Sequence, residues 1–410
     1  MKNYFNLLFI LVFFTSYGQM SQVIVQPPYY IKTALISDGQ FPKSSPIIKL
    51  GNTLYFSFDD LQADEKEYTY KIIRFDENWH PTDLAVSEYI NGFDSDIITD
   101  VNNATGTLQS YTHYQLKIPN ESTKILLSGN YIIQVIDEDD EITFSIPFIV
   151  YEKKINIGVQ VKWANDVRKK DQWQIVDFSL YKQSFPIRNE TQSLSTRIFQ
   201  NNDISYYKEF HQPTFYKGEE WVYHYPNDAV FESINEFRQF ETKDLRGINY
   251  GIQYNELKQL YEFYPYKDTY REHYLFYNDI NGAYFIKSDQ ADDVSIEADY
   301  VHVHFIFSDI LDTRKRLFVV GQFNNFTPSD EYELKQNSNG EYECTLTLKQ
   351  GYYNYMYVTK NEDNQIDIAE ISGSYAQTEN DYTVLVYYRA PGARYTEVIG
   401  IGKANSDQIK

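Results

Sequence analysis

The stretch SGNYIIQVIDEDDEITFSIPFIVY, residues 128–151, decides the fold. Ser128-Gly129-Asn130 opens it, Tyr131 to Ile136 is a mostly apolar run, Asp137 to Glu141 is an acidic turn, and Ile142 to Tyr151 runs back. Two such runs joined by a short polar segment read as a β-hairpin. Phe144 to Tyr151 is apolar on both faces, which suits a strand inside a sandwich. An outer-membrane barrel strand would instead alternate between lipid and lumen.

Upstream, Leu54 to Phe58 alternates, and so does Tyr68 to Phe75, which ends at the turn Asp76-Glu-Asn78. Tyr111 to Ile118 follows and stops at Pro119-Asn120. Short strands at this spacing, punctuated by turns, predict an all-β chain of tandem immunoglobulin-like or early-set β-sandwich domains. Trp79 is the expected central plug of the first core. The expected organisation is a signal peptide at 1–18, an N-terminal sandwich at 22–152, a middle β-rich domain at 153–296, a C-terminal early-set-like sandwich at 297–402 and a polar tail at 403–410.

In the middle region Ile155 to Trp163, Trp173 to Tyr181 and Glu219 to Tyr225 read as strands. Glu232 to Phe240 mixes helical and strand character and stays open at this stage. Tyr250 to Tyr266 is striped with aromatics. Asp279 to Gly282 reads as a turn between Tyr274 to Tyr277 and Ala283 to Ile286. The last region offers strands at Tyr300 to Phe307, Arg316 to Val320, Gly340 to Leu348 and Tyr352 to Val358. A closing pair, Asp381 to Arg389 and Arg394 to Ile401, turns around Pro391-Gly392.

Composition supports the β reading, because 39 Tyr and 27 Phe against 3 Met favour strands over helices. The N-terminus reads as an export signal: Lys2, an apolar run from Tyr4 to Phe14, then small residues at Ser16 and Gly18 before Gln19. One cysteine, Cys344, cannot make an internal disulfide and alternates within a strand, so a buried, inert thiol is expected. A formal net charge of −21 disfavours nucleic acid and anionic lipid as partners.

No nucleophile elbow, phosphate loop, dinucleotide glycine pattern or H-E-x-x-H motif is present, so no catalytic or cofactor-binding residue is assigned and the chain is read as a non-enzyme without a small-molecule substrate. His302 and His304 share one strand face and with a third ligand would suit zinc. Val301, Val303 and Phe305 on the other face make the histidines an outward pair instead, and no metal site is assigned. Asp137 to Glu141 lacks the ordered spacing and glycine of a calcium loop and reads as a solvated turn; Asp279 and Asn281 are read the same way. Gly321-Gln-Phe-Asn-Asn-Phe326 and Lys349-Gln-Gly-Tyr-Tyr-Asn-Tyr-Met-Tyr357 resemble the early-set domains of glycogen- and starch-binding modules. Phe326 stands where those modules place a sugar-stacking tryptophan, so the resemblance supports the fold more than the ligand; an exported carbohydrate-binding protein is kept as the alternative function.

A set of strings in fixed order adds a more specific resemblance. They are Pro27-Pro-Tyr-Tyr-Ile-Lys32, Pro46-Ile-Ile-Lys-Leu-Gly51, Leu54 to Leu61 with its Phe-Asp-Asp-Leu ending, and Lys71-Ile-Ile-Arg-Phe-Asp-Glu-Asn-Trp79. Glu88-Tyr-Ile-Asn-Gly-Phe93, Tyr111-Thr-His-Tyr114, Ser128-Gly-Asn-Tyr131, Asn235-Glu-Phe-Arg238, Asp279-Ile-Asn-Gly282 and Lys349-Gln-Gly-Tyr-Tyr-Asn-Tyr355 continue it. Together they resemble the plug proteins of the type IX secretion system over essentially the whole chain beyond the export signal, with Arg74 a departure from the family string. The resemblance implies a non-catalytic periplasmic protein at the inner face of the outer membrane, without cofactor. Its partner would be the large translocon barrel, whose periplasmic mouth it closes when no cargo is engaged, while a separate barrel-type protein blocks the lateral gate. A stopper of this kind is expected to use Tyr-rich exposed surfaces as rigid contact area.

Overall fold

The structure is a computed structural model of the 410-residue chain that describes residues 23–39 and 45–409. The expected export signal at 1–18 lies outside the described residues. The fold is all-β, with several packed sheets and only single-turn helices among the described residues.

The first sandwich pairs a four-stranded sheet with a five-stranded one. The first holds Ile31–Ser37, Leu54–Asp60, Thr112–Ile118 and Asp100–Asn103. The second holds Ile47–Lys49, Ile142–Tyr151, Gly129–Ile136, Thr69–Phe75 and Ser95–Ile97. The deciding hairpin forms as read, Tyr131 facing Phe148 and Ile133 facing Ile146. Alternation drives one face of each strand inward. Phe58 stacks on Tyr114 at 4.9 Å, with Phe144 edge-on at 5.1 Å and Tyr68 at 5.4 Å.

Strand pairing cuts across the boundaries expected at 296/297 and 402. Leu194–Gln200 pairs with Asp381–Tyr388, which pairs in turn with Glu397–Asn405. The last hairpin therefore completes a sheet of the middle sandwich. That sheet faces another built from Asn156–Trp163, Trp173–Tyr181, Glu220–Tyr223, Phe215–Lys217 and Val230–Glu232, and the two share one core. Arg238–Glu241, Ile252–Leu257, Tyr261–Pro265 and Tyr284–Ile286, expected in the middle unit, instead join the ten-stranded sheet of the last unit. Gly351–Lys360 pairs with two segments from before the unit's expected start, Arg238–Glu241 and Tyr284–Ile286. Long-range pairings of this kind leave no local periodic signal, so composition could not place the boundaries.

Other local readings are settled in the same way. Glu232 to Phe240 is neither one helix nor one strand: Val230–Glu232 ends, Ile234 bridges to Ser374, and Arg238–Glu241 begins. Tyr274 to Tyr277 is not a strand; the Tyr274 hydroxyl instead donates to Glu236 Oε1 at 2.8 Å. The polar tail does not start at 403, because Glu397–Asn405 is strand and Ser406 is buried. Trp79 does not plug the first core. It packs with Phe75, Ile132, Phe199, Leu385 and Tyr387 between the first sandwich and the middle one. Its large apolar surface fills an interface core as readily as a domain core.

Phe58→Ala should destabilise the chain by about 3–5 kcal/mol, since the ring is fully buried among four aromatics, Phe56, Tyr68, Tyr114 and Phe144. Phe93→Ala, at an exposed ring, should stay within about 0.5 kcal/mol. Urea denaturation of both variants checks the contrast.

Candidate functional junctions

Outward positions of the first sheet carry polar groups that meet the last unit. On Leu54–Asp60 the inward residues are Phe56 and Phe58, so Tyr55, Ser57 and Asp59 point away from the core. Asp59 faces His113 across the pairing of Leu54–Asp60 with Thr112–Ile118. Asp59 is fully buried, and its carboxylate gathers three side chains. His113 Nδ1 lies 2.6 Å from Oδ1; Lys349 Nζ donates to Oδ2 at 2.7 Å, and the Tyr300 hydroxyl donates to Oδ2 at 2.6 Å. The Thr33 hydroxyl sits 2.7 Å from that of Tyr300, and Lys349 also donates to Ser295 O at 2.6 Å. The Lys349 ammonium lies over the Tyr111 ring at 4.2 Å.

Burial pushes the Asp59 carboxyl up, but Lys349 and His113 outweigh it and hold it below its ordinary value. It is ionised at neutral pH. Burial and the adjacent Asp59 carboxylate push the Tyr300 phenol far up, which keeps it a donor. Nearby, Asp299 accepts from the backbone N–H of Leu108 at 2.7 Å and of Gln109 at 3.1 Å. A cleft of about 280 Å³ borders this network, lined by Ser57, His113, Gln115, Ile286, Val294 and Lys349 among others.

A second junction ties the first sandwich to the middle one. Arg197, almost wholly buried, donates to Asn78 Oδ1 at 2.8 Å, to Glu209 Oε1 at 3.0 Å and to Glu77 O. Its guanidinium lies between the rings of Tyr207 at 4.2 Å and Tyr387 at 5.0 Å. Arg74 donates to Ser128 O at 2.8 Å and Thr396 O at 2.5 Å and lies over the Tyr395 ring. Gly129 makes room for it: at φ +149° a Cβ there would sit 2.7 Å from Arg74 Nη2.

The third junction lies where the chain passes between the middle and last units. Asp279 Oδ2 accepts from Phe237 N–H at 2.5 Å, and Asn354 Oδ1 accepts from Ile280 N–H at 2.7 Å. Asn281 Nδ2 donates to both Glu379 oxygens and to Asp381 Oδ2, each at 3.2 Å, and Asn405 Nδ2 donates to Asp381 Oδ1 at 2.9 Å. Burial, then Asp279 and Glu379 nearby, push Glu236 up to about 7. Burial, with Asp381 and Asp279 adding to it, pushes Glu379 up to about 7; burial pushes Asp279 up to about 6. The solvated turn expected at Asp279 and Asn281 is thus a half-buried joint, with Asn281 itself buried.

Other singled-out residues behave more simply. His302 and His304 do share a face opposite Val301, Val303 and Phe305. Both are held by Glu262, at 3.0 Å for His302 and 2.5 Å for His304, and the His304 ring stacks on Tyr264 at 4.3 Å. Asp137 Oδ1 accepts from Asp139 and Glu141 N–H and closes its own turn. Phe326 is half-buried, edge-on to Phe237 at 6.3 Å. Cys344 is buried, and burial pushes its thiol up to about 12. Among the described residues no group of three or more His, Cys, Asp and Glu is arranged to hold a metal ion. The Tyr-rich exterior is only partly present, since Tyr68, Tyr114, Tyr131, Tyr223, Tyr353 and Tyr382 are wholly buried.

The strings that carried the family resemblance meet at these junctions. Asp59, His113 and Lys349 come from three of them, Arg74, Asn78 and Ser128 from two more, and Glu236, Asp279 and Asn354 again from three. Sequence reading found the strings but assigned them no role, because their partners lie up to 322 residues apart.

Comparison with known proteins agrees. Residues 31–152 match the family model for the type 9 secretion system plug protein first domain. A crystal structure of a hypothetical protein from Parabacteroides merdae superposes with a TM-score of 0.87 at 29% identity, covering 93% of this chain and 98% of that one. Trypsin-activated alpha-2-macroglobulin from Escherichia coli gives a TM-score of 0.18 at 11% identity, covering 93% of this chain and 29% of that one. No curated protein matches. Among the described residues no helix is long and apolar enough to cross a membrane.

Lys349→Met should cost about 3–5 kcal/mol, because it leaves the Asp59 charge buried without its cation. Adding Asp59→Asn should restore stability relative to the single variant, since the uncompensated charge is then gone. Chemical denaturation of the three proteins measures both effects.

The third junction predicts a pH dependence of a definite sign. Burial and neighbouring carboxylates make Glu236 and Glu379 take up protons more readily in the fold than at the ordinary glutamate value of 4.5. Their contribution to stability is therefore fully present below about 4.5 and is lost as pH rises through about 7. The melting temperature of Glu236→Gln/Glu379→Gln should fall less than that of the wild type between pH 5.5 and pH 8. Parallel curves for the two proteins would refute the assignment.

Proposed function

We propose, from the premise that this chain belongs to the type IX secretion plug family through its first domain at residues 31–152 and takes part in type IX secretion, that it closes the periplasmic mouth of the outer-membrane translocon barrel when no cargo is engaged. The observation that carries this reading is the match of the first domain to the plug family. The geometry supports it. A stopper must resist deformation as a whole, and here three sandwich-like units are fastened by buried charged and amide groups instead of by flexible linkers. In this reading the protein resides in the periplasm at the inner face of the outer membrane, binds the large translocon barrel and catalyses nothing. Its buried carboxylates and imidazole serve assembly: Asp59 is taken up by three donors and His113 by Asp59. The half-buried Phe326 gives the carbohydrate-binding alternative no support.

Deletion of the protein should make the outer membrane permeable to large hydrophilic compounds, read as increased sensitivity to vancomycin. Secretion should continue, and the added sensitivity should vanish when the translocon is deleted as well. Unchanged sensitivity in the single deletion, with the translocon present, would overturn the reading.

A further inference from the structure

Lys349 and Asp59 form an ion pair unlike the others. Their side chains are 2% and 1% exposed, and Nζ lies 2.7 Å from Oδ2. In every other lysine–carboxylate pair among the described residues the lysine is at least 17% exposed. Two charges out of water are costly even when they meet. An amine and a carboxyl group in contact can lose both charges at once by condensing to an amide, which is neutral and far less costly to bury once hydrogen-bonded.

The groups around the pair suit that step. Asp59 has a donor on each oxygen, His113 Nδ1 at 2.6 Å from Oδ1 and the Tyr300 hydroxyl at 2.6 Å from Oδ2. The first can stabilise charge developing on Oδ1 and the second charge on a departing Oδ2. Burial holds the Lys349 ammonium below its ordinary value, although Asp59 pulls it up, so the cation gives up a proton readily. Burial also favours a neutral Asp59, although Lys349 and His113 outweigh it, so the proton transfer within the pair is the uphill entry to the reaction. The product leaves no polar atom stranded. Ser295 O, 2.6 Å from Lys349 Nζ, accepts from the amide N–H, and His113 stays on Oδ1 as the amide oxygen.

We propose that Lys349 and Asp59 condense into an intramolecular isopeptide bond that joins the first and last units covalently after folding. One proton passes from Nζ to Oδ2, and the freed Nζ lone pair attacks Cγ, pushing the C=O electrons onto Oδ1 beside His113. A second proton passes from Nζ to Oδ2, the Cγ–Oδ2 bond breaks, and Oδ2 leaves as water while Oδ1 recovers its double bond. Nζ keeps its third hydrogen, nothing is oxidised or reduced, and one positive and one negative charge disappear. The cleft of about 280 Å³ bordered by His113 and Lys349 receives the water. Groups held in contact by the fold react as parts of one molecule, an arrangement that reaches effective molarities of about 10⁵–10⁸ M. None of this depends on the plug reading.

Mass spectrometry of the purified full chain tests it. After unfolding in urea, the wild type should weigh less than its own sequence by one water. Tryptic digestion should give a branched peptide that carries both Asp59 and Lys349, because trypsin does not cut after an amidated lysine. Lys349→Arg keeps the cation without the nucleophilic amine; it should retain the water and run differently from the looped wild type on a denaturing gel. A wild-type chain of full sequence mass, or a water lost at any other position, would overturn the proposal, and neither result depends on a variant folding. In cell-free synthesis the bond should accumulate with time after folding. His113→Ala should slow it about a hundredfold, the usual effect of losing a donor to a developing oxyanion, and His113→Gln, which restores an N–H, should recover part of the rate. Equal rates in wild type and His113→Ala would overturn the part given to the imidazole.

Discussion

The buried Asp59 carboxylate is the central tie between the first and last units. A carboxylate out of water is costly unless paired and hydrogen-bonded. Asp59 has no water-facing alternative, so it fixes whatever satisfies it: His113 on its own sheet, Tyr300 and Lys349 on the other unit. Those three donors come from three strands, and each direction is set by the alternation of its strand. A shift of one residue in any of them would turn a donor away and leave a bare charge. Register and unit placement are thereby the same constraint.

The other two joints use different chemistry and differ in what opening them would involve. The contact between first and middle units surrounds Arg197 and Arg74 with a large apolar cluster in which Trp79, Ile132, Leu385 and Tyr387 take part. Separating it would expose that apolar surface to water. The contact between first and last units is mainly polar, and its groups could regain hydrogen bonds from solvent. The middle-to-last joint links Glu379 and Asp381 through Asn281 and Asn405, and burial with neighbouring carboxylates raises the proton affinity of Glu236 and Glu379.

What the sequence disclosed follows from how far each signal reaches. Alternation is local, so Val301, Val303 and Phe305 could be placed inside and His302 and His304 outside, and the 128–151 hairpin could be drawn. Pairing partners are not local. Nothing in Asp381 to Asn405 says that its neighbour is Leu194–Gln200, and the boundaries at 296 and 402 missed for that reason. Trp79 was misplaced because size and apolarity do not tell a domain core from an interface core. Asp279 was read as solvated because Asp-Ile-Asn-Gly is a turn string wherever it lies; only the fold brings Phe237 and Glu379 against it. The exposed tyrosines were overestimated because a hydroxyl suits burial too, once it finds a carbonyl, as Tyr131 does at Leu127 and Tyr353 at Lys349.

The family strings now have a physical meaning that is independent of any reaction. A catalytic motif gathers its residues around a space for substrate. These strings gather theirs around one another: Asp59 with Lys349, Ile280 with Asn354, Arg74 with the carbonyl of Ser128. Such contacts fix the arrangement of the units.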